Sequence, residues 1–151
     1  MRETRLPVNA QSVQPNHPGL RTLTEIYRDD FLTISAEVPG RLIRFLRTNV
    51  PHPTPVDLER SFRQAAAAID RIGRTNRVML IDVLDARGRN EPEFDTVMRR
   101  LRPIVEQDMV RVAVLLRSSA GMLQMKRINQ EDGVLRMLTL SELEALEFLL
   151  E

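Results

Sequence analysis

Apolar and polar side chains alternate between residues 23 and 48, a pattern that predicts β-strands. The alternation is clearest at residues 32–38, which read LTISAEV, as expected for a sheet with one buried face. Asp29-Asp30 and Pro39-Gly40 join the apolar runs, and these residue types favour turns. The first third of the chain therefore predicts an antiparallel meander of three strands, at residues 22–27, 31–38 and 41–48.

Helical and strand patterns alternate along the rest of the chain. A first helix is predicted from Pro55, after the capping residue Thr54, to Gly73. Two nearly continuous apolar runs, VMLIDVL at 78–84 and VRVAVLL at 110–116, are typical of parallel strands covered on both faces. The later elements are predicted to be a helix at 93–107 with a bend or break at Pro103, a helix at 121–131, a short strand at 134–138 and a last helix with Ser141 and Glu144 in a capping box.

The predicted order of elements, βββ-α-β-α-β-α-β-α, indicates an α/β fold. Alternating strands and helices build a largely parallel sheet, and the early hairpins add antiparallel strands at its edge, so the sheet is mixed. We expect a single domain at residues 21–151. Residues 1–20 contain three prolines and no sustained periodicity, which predicts a flexible tail, or alternatively a segment that becomes ordered on a partner.

Composition limits the classes of function. The 22 basic and 21 acidic side chains leave a net charge of +1, which argues against general binding to nucleic acid. The absence of cysteine excludes disulfides, zinc-thiolate sites and cysteine nucleophiles. We find no apolar core of a signal peptide and no uncharged apolar run of about 18 residues, so we expect a cytoplasmic protein without a membrane span.

All basic side chains except Lys126 are arginines. Such an excess is typical of proteins encoded by GC-rich genomes and we interpret it in this way, so only arginines at a structurally privileged place are candidates for function. In open α/β sheets that place is the carboxyl edge of the parallel strands, where loops at 85–92 and 117–121 are expected to meet. The donor-rich side chains of these loops suit a carboxylate or a phosphate and belong to Arg87, Arg89, Asn90, Arg117, Ser118 and Ser119.

The same loops also fit a purely structural interpretation. In it, Asn90 caps a helix that starts at Glu91 and Pro92, and the arginine side chains simply reach solvent. A similar choice exists for the helix at 121–131. We interpret its apolar side as core, although a methionine-rich side can also serve an adaptable interface, and Gln124 and Arg127 could line the same edge of the sheet. The apolar side consists of Met122, Leu123, Met125 and Ile128.

No catalytic or metal site is predicted. His17 and His52 lie in irregular segments that carry prolines, so no general base is evident. Phosphate-binding loops of the GxGxxG and GxxxxGKS/T types are absent, and we expect no cofactor. Asp82 lies inside an apolar strand, and we interpret it as a carboxylate bonded to the backbone of a neighbouring loop rather than as a phosphoacceptor.

Three segments together resemble the STAS-like family, the domains similar to anti-sigma-factor antagonists. They are the buried strand LIDV at 80–83, the buried strand VAVLL at 112–116 and the terminal LSELEALEFL at 140–149, behind an early hairpin. The resemblance implies a mixed sheet and a non-enzymatic regulatory or ligand-binding module of bacterial type. The best-known antagonists carry a phosphorylatable serine at the start of the helix after the central strand. This chain departs from them there, because residues 87–90 read RGRN.

Two functions follow as hypotheses. The first is a non-catalytic regulatory module that binds a protein partner, with an acidic or phosphorylated group recognised at the carboxyl edge of the strands. The alternative is a carrier domain for a small molecule or a lipid, held in a pocket between the sheet and the helices. The loops at the carboxyl edge could also bind an anionic small molecule instead of a protein partner. An enzyme is not expected, because the sequence offers no assembled nucleophile, base or metal set.

Overall fold

The computed structural model describes residues 22–87 and 91–151, and these residues confirm the predicted α/β fold with a mixed sheet. The predicted tail at residues 1–20 lies outside the described residues. The strands are β1 (Thr24–Arg28), β2 (Leu32–Ala36), β3 (Leu42–Arg47), β4 (Val78–Asp82), β5 (Val112–Leu115) and β6 (Met137–Thr139). The helices are α1 (Pro55–Ile72), α2 (Pro92–Glu106), α3 (Ser119–Asp132) and α4 (Glu142–Leu150).

The six strands are ordered in the sheet as they are in the chain, from β1 to β6. β1, β2 and β3 pair antiparallel, and the pairs from β3 to β6 are parallel. The register places Phe45 beside Ile81 and Ile81 beside Val114. Because neighbouring residues in register face the same side, these three side chains form one row across the centre of the sheet.

The turns of the antiparallel part have the chemistry that their residue types predict. One carboxylate oxygen of Asp29 accepts hydrogen bonds from the backbone N–H groups of Phe31 and Leu32, at 2.8 and 2.9 Å, and so closes the turn between β1 and β2. Gly40 has a φ of 149°, and a Cβ at this position would lie 2.5 Å from the Cβ of Glu37. Only glycine fits this turn between β2 and β3 without a shift of Glu37.

Helices cover both faces of the parallel strands. α1 and α2 pack on one face, where the core includes Leu32, Ile34, Ile43, Phe45, Met79, Phe62, Ile69 and Leu101. α4 packs on the other face, where the core includes Leu42, Val78, Leu80, Leu115, Leu146 and Leu149. Successive residues of a strand belong to opposite faces, which explains why the runs in β4 and β5 are apolar without alternation. Within the described residues, no helix combines the length and apolar character needed to cross a membrane.

The helix ends follow the predicted chemistry in α1 and α4. The Thr54 side chain accepts from the backbone N–H of Asp57, and α1 ends at Gly73. The Ser141 side chain accepts from the backbone N–H of Glu144, as a capping box requires. The box closes indirectly, however, because the Glu144 carboxylate accepts from the hydroxyl of Thr139, which itself accepts from the Ser141 N–H.

The start of α2 and its proline are the points to compare with the sequence. The helix continues through Pro103 to Glu106, so the predicted break is not present. Its N-cap is Glu91, and the interpretation of Asn90 as a cap falls on a residue outside the described ones. Pro103 is tolerated because it lies on the exposed side of α2, where water can bond the carbonyl group that the proline leaves without a donor. Pro92 occupies the first turn, where a missing N–H costs nothing.

Candidate functional site

A cavity of about 410 Å³ lies between the sheet and the helices of the α1 and α2 face. It opens at the carboxyl edge of the parallel strands, since the residues around it include Arg47 at the end of β3, Leu84 after β4 and Leu116 after β5. Pockets of 300–1,000 Å³ are typical of small-molecule sites, and this edge is where α/β sheets bind ligands. The cavity is therefore the candidate site.

Apolar side chains form most of the cavity wall. The sheet contributes the row of Phe45, Ile81 and Val114, α1 contributes Phe62, and α2 contributes Met98. Phe45 and Phe62 also contact each other, with ring centroids 5.3 Å apart. Such a wall favours a ligand with an apolar body, because burial of apolar surface is the dominant attraction that it offers.

α3 forms one side of the cavity and does not contribute to the core. It contains no buried residue, and its Leu123 is 59% exposed, so the prediction that its apolar side is core is wrong. Met125, Ile128 and Gln124 line the cavity, whereas Arg127 does not. The apolar residues of α3 do repeat at helical spacing, but they face the cavity and not packed side chains. A sequence pattern cannot distinguish these two environments.

Arg47 brings a positive charge into the cavity wall. It is the last residue of β3 and half-buried, its Nε is buried without a hydrogen-bond partner, and its guanidinium lies 5.6 Å from the centre of the Phe62 ring. Burial and the nearby charge of Arg102 lower the pKa of Arg47 to about 10. Arg47 therefore remains charged at neutral pH, and it makes no ion pair within the described residues.

Arg102 brings a second positive charge to the same wall. It follows Phe94 and Met98 at intervals of four residues, so the three side chains form a stripe along α2 that faces the cavity. Burial and the charge of Arg136 lower the pKa of Arg102, although Asp132, Asp95 and Glu106 act in the opposite direction. In the part of the chain that the structure describes, Arg102 makes neither a hydrogen bond nor an ion pair.

The two carboxylates in the cavity wall are already paired with other arginines. Asp95 lies 2.8 Å from the guanidinium of Arg99, and Glu106 lies 2.9 Å from that of Arg136. Burial nevertheless raises the pKa of Glu106, despite the charge of Arg136. Arg47 and Arg102 thus make no direct ion pair in the described residues, although Asp132, Asp95 and Glu106 lie close enough to raise the pKa of Arg102. A bound anion would supply the direct partner that these two guanidinium groups lack beside an apolar wall.

His52, in the loop between β3 and α1, also lines the cavity and is 1% exposed. Its ring stacks on Phe31, with centroids 4.3 Å apart, and meets the edge of Phe62 at 6.1 Å. Burial and the charge of Arg47 lower the pKa of His52 to about 4, so its imidazole is neutral at pH 7. It adds a polar but uncharged group to the cavity.

The predicted edge residues divide into three groups. Arg117 and Ser118 line the cavity opening, where Arg117 pairs with Asp85 at 3.0 Å and so links the two loops. Ser118 is the N-cap of α3, with its hydroxyl accepting from the N–H of Gly121 at 3.2 Å. Arg87 and Ser119 are exposed and do not line the cavity. Arg89 and Asn90 lie outside the described residues.

Asp82 lies on the opposite face of the sheet from the cavity. One of its carboxylate oxygens accepts from the backbone N–H of Leu84 at 3.1 Å, which agrees with the predicted loop contact. The other accepts from the guanidinium of Arg44 at 2.5 Å, and Glu142 lies 3.4 Å from the same group. This buried ion pair was not predicted from the sequence. It connects β3, β4 and the start of α4.

Arg47 and Arg102 were missed at the sequence level, although each left a signal. Arg47 occupies the same register as Ile43 and Phe45 in an alternating strand, so a charge falls on the buried face. Arg102 falls on the apolar stripe of α2. A charge at a position that periodicity assigns to the interior is the useful signal in both cases.

Comparisons with protein-family models, with curated proteins and with solved structures each returned no match for this chain. The similarity to the STAS-like family stays a prediction.

Proposed function

We propose that this protein is a binding module for an anionic amphiphile, a small molecule with an apolar body and a negatively charged head group. This is the carrier alternative of the sequence-based hypotheses, and it assigns no catalytic step. The observation that carries the proposal is the pair Arg47 and Arg102. Both line an apolar cavity, and neither makes an ion pair within the described residues. An anion between them would offset a charge that burial makes costly.

The proposal can be tested with two dyes that share an aromatic body. Anilinonaphthalene sulfonate is anionic and phenylnaphthylamine is neutral, and both fluoresce more strongly in apolar surroundings. We expect the wild type to bind the sulfonate more tightly than the neutral dye. Arg47→Gln and Arg102→Gln should each weaken sulfonate binding about tenfold, the usual range for one hydrogen bond to a charged group, and leave the neutral dye unaffected.

The matched control is Arg127→Gln, which removes an arginine of α3 that is exposed and does not line the cavity. It should bind both dyes like the wild type. Circular dichroism should show that every variant retains cooperative unfolding, because partly unfolded proteins also bind such dyes. Equal binding of the sulfonate to the wild type and to Arg47→Gln would contradict the proposal.

A protein-binding regulatory role is the second candidate. The observation in its favour is that Arg87, Arg117 and Ser119 are exposed at the ends of neighbouring strands, where a partner can reach them. A partner retained from the native cell by the wild type and lost with the Arg87→Gln/Arg117→Gln double variant would support this role. Equal recovery of the partner by both proteins would contradict recognition at this edge.

A further inference from the structure

The charges around the cavity also bear on which anion fits best. Three arginines, two carboxylates and one histidine line it. Arg117 pairs with Asp85 at the opening, both carboxylates pair with arginines, and His52 is neutral at pH 7. What remains is Arg47 and Arg102, two guanidinium groups that make no ion pair in the described residues and lie close enough for the charge of Arg102 to act on Arg47, although Asp132, Asp95 and Glu106 offset part of the charge of Arg102.

We propose that the head group is a phosphate monoester in its dianionic form, held between the guanidinium groups of Arg47 and Arg102. This inference rests on the proposed function and narrows it. A carboxylate carries one negative charge and presents two oxygens, which suit a single guanidinium fork. A phosphate monoester carries up to two charges at pH 7 and presents three oxygens, which suit two guanidinium forks.

The volume of the cavity limits the size of the ligand's apolar body. Its volume of about 410 Å³ lies in the lower part of the range of about 300–1,000 Å³ that is typical of small-molecule pockets. A single alkyl chain of medium length with its head group suits a pocket of this size. The ligand class is therefore a single-chain alkyl or isoprenoid phosphate.

Decyl phosphate and decanoate form the test pair, because they share the chain length and differ in the head group. Calorimetric titration at pH 7.5 should give at least tenfold tighter binding of decyl phosphate to the wild type, the effect of one further charged hydrogen bond. Arg47→Gln and Arg102→Gln should each lower this ratio of affinities, and the double variant should bring it close to one. Arg127→Gln should leave it unchanged.

The pH dependence of binding gives a second measurement that reports on the ligand. The second pKa of a phosphate monoester is about 6, so the affinity for decyl phosphate should rise about fourfold between pH 5.5 and pH 7.5. Arg47 and His52, with pKa values of about 10 and about 4, keep one charge state throughout this range. The other charged groups of the region are Arg102, Asp95 and Glu106, with their partners Arg99 and Arg136, and Asp132. Decanoate experiences all of them equally and should show no comparable rise.

Three results would overturn the inference in different ways. Decanoate binding as tightly as decyl phosphate would refute the dianion but leave an anionic amphiphile as the ligand. Inorganic phosphate binding as tightly as decyl phosphate would show that the site takes free phosphate, since loss of the chain should cost at least about a hundredfold in affinity. Failure of both alkyl anions to bind, while the aromatic sulfonate binds in an Arg47-dependent manner, would refute the alkyl phosphate alone.

Discussion

Arg47 at the end of β3 and Arg102 in α2 line the same cavity, and the charge of Arg102 adds to burial in lowering the pKa of Arg47 to about 10. Two like charges beside an apolar wall oppose folding in the absence of a ligand. Residues that are kept at a cost to stability are typical of binding sites, whose arrangement serves the bound state.

Replacement of either arginine by an apolar side chain should therefore stabilise the free protein. We expect Arg47→Met and Arg102→Met to raise the free energy of unfolding by about 1 kcal/mol, because each removes a partly buried charge that makes no ion pair and keeps an apolar stem of similar length. Urea denaturation measures the change, and Arg127→Met serves as the exposed control with no change expected. A loss of stability in both cavity variants would show instead that these arginines hold the fold together.

The order of the elements was predictable because each depends on neighbours in sequence. The apolar runs of β4 and β5, the capping residue Thr54 and the turn at Asp29 act over a few residues, and the structure places them as expected. The role of α3 was not predictable in this way. Met125 repeats with Ile128 at helical spacing whether the helix faces packed side chains or a cavity, and only the distance to the sheet separates the two cases.

The residues of the candidate site differ in the same way in how far the sequence predicts them. Arg117 and Ser118 were predicted because loops after parallel strands are expected at one edge of the sheet. Arg47 and Arg102 belong to a strand and a helix that are 55 residues apart in sequence, and they meet only when α2 packs on the sheet. Each is visible in the sequence as a charge in an apolar register, but nothing local indicates that the two registers face one cavity.

α3 should open more readily than the other helices, because it has no buried residue. In hydrogen exchange, we expect the amides of residues 119–127 to exchange faster than those of α1. Anilinonaphthalene sulfonate at about 100 times its Kd should slow their exchange by up to about a hundredfold, since the ligand favours the closed form. The amides of α4, whose Ala145, Leu146 and Leu149 are buried on the other face, provide the internal control. Protection in α4 rather than in α3 would place the ligand on the wrong face of the sheet.

His52 should make the protein less stable in mild acid. Its pKa is about 4 in the folded protein, against 6.5 for an ordinary histidine. The unfolded chain therefore binds a proton more readily than the folded protein, so the contribution of His52 is complete above about pH 6.5 and is lost as the pH falls toward 4. The full loss is on the order of 2 to 3 kcal/mol.

Urea denaturation between pH 7 and pH 4 should show a smaller loss of stability for His52→Phe than for the wild type. The chain has two histidines, so comparison with this variant also identifies the imidazole signal of His52 in an NMR titration. We expect that signal to titrate well below pH 6. An imidazole of His52 that titrates near pH 6.5 would contradict the predicted burial effect, and the two proteins would then lose stability in parallel.

Arg136 connects the C-terminal end of α3 to the C-terminal end of α2. Its side chain is 1% exposed, and it pairs with Glu106 of α2 at 2.9 Å and with Asp132 of α3 at 2.8 Å. It also donates to the side chain of Asn129 at 2.8 Å. Arg136→Leu should lower the free energy of unfolding by about 3 to 5 kcal/mol, because it leaves two carboxylates in a buried region without their partner.

The double variant Arg136→Leu/Glu106→Leu shows how much of the stability lost in Arg136→Leu comes from the broken ion pair and how much from lost packing. Glu106 carries the greater burial cost, because burial raises its pKa even with Arg136 present. Its removal should therefore recover about 1 to 2 kcal/mol relative to Arg136→Leu alone, although Asp132 still lacks its partner. Thermal and urea denaturation of the two variants and the wild type measure this recovery. If the second substitution instead lowers stability further, Glu106 contributes through the packing of its side chain and not as the partner of Arg136.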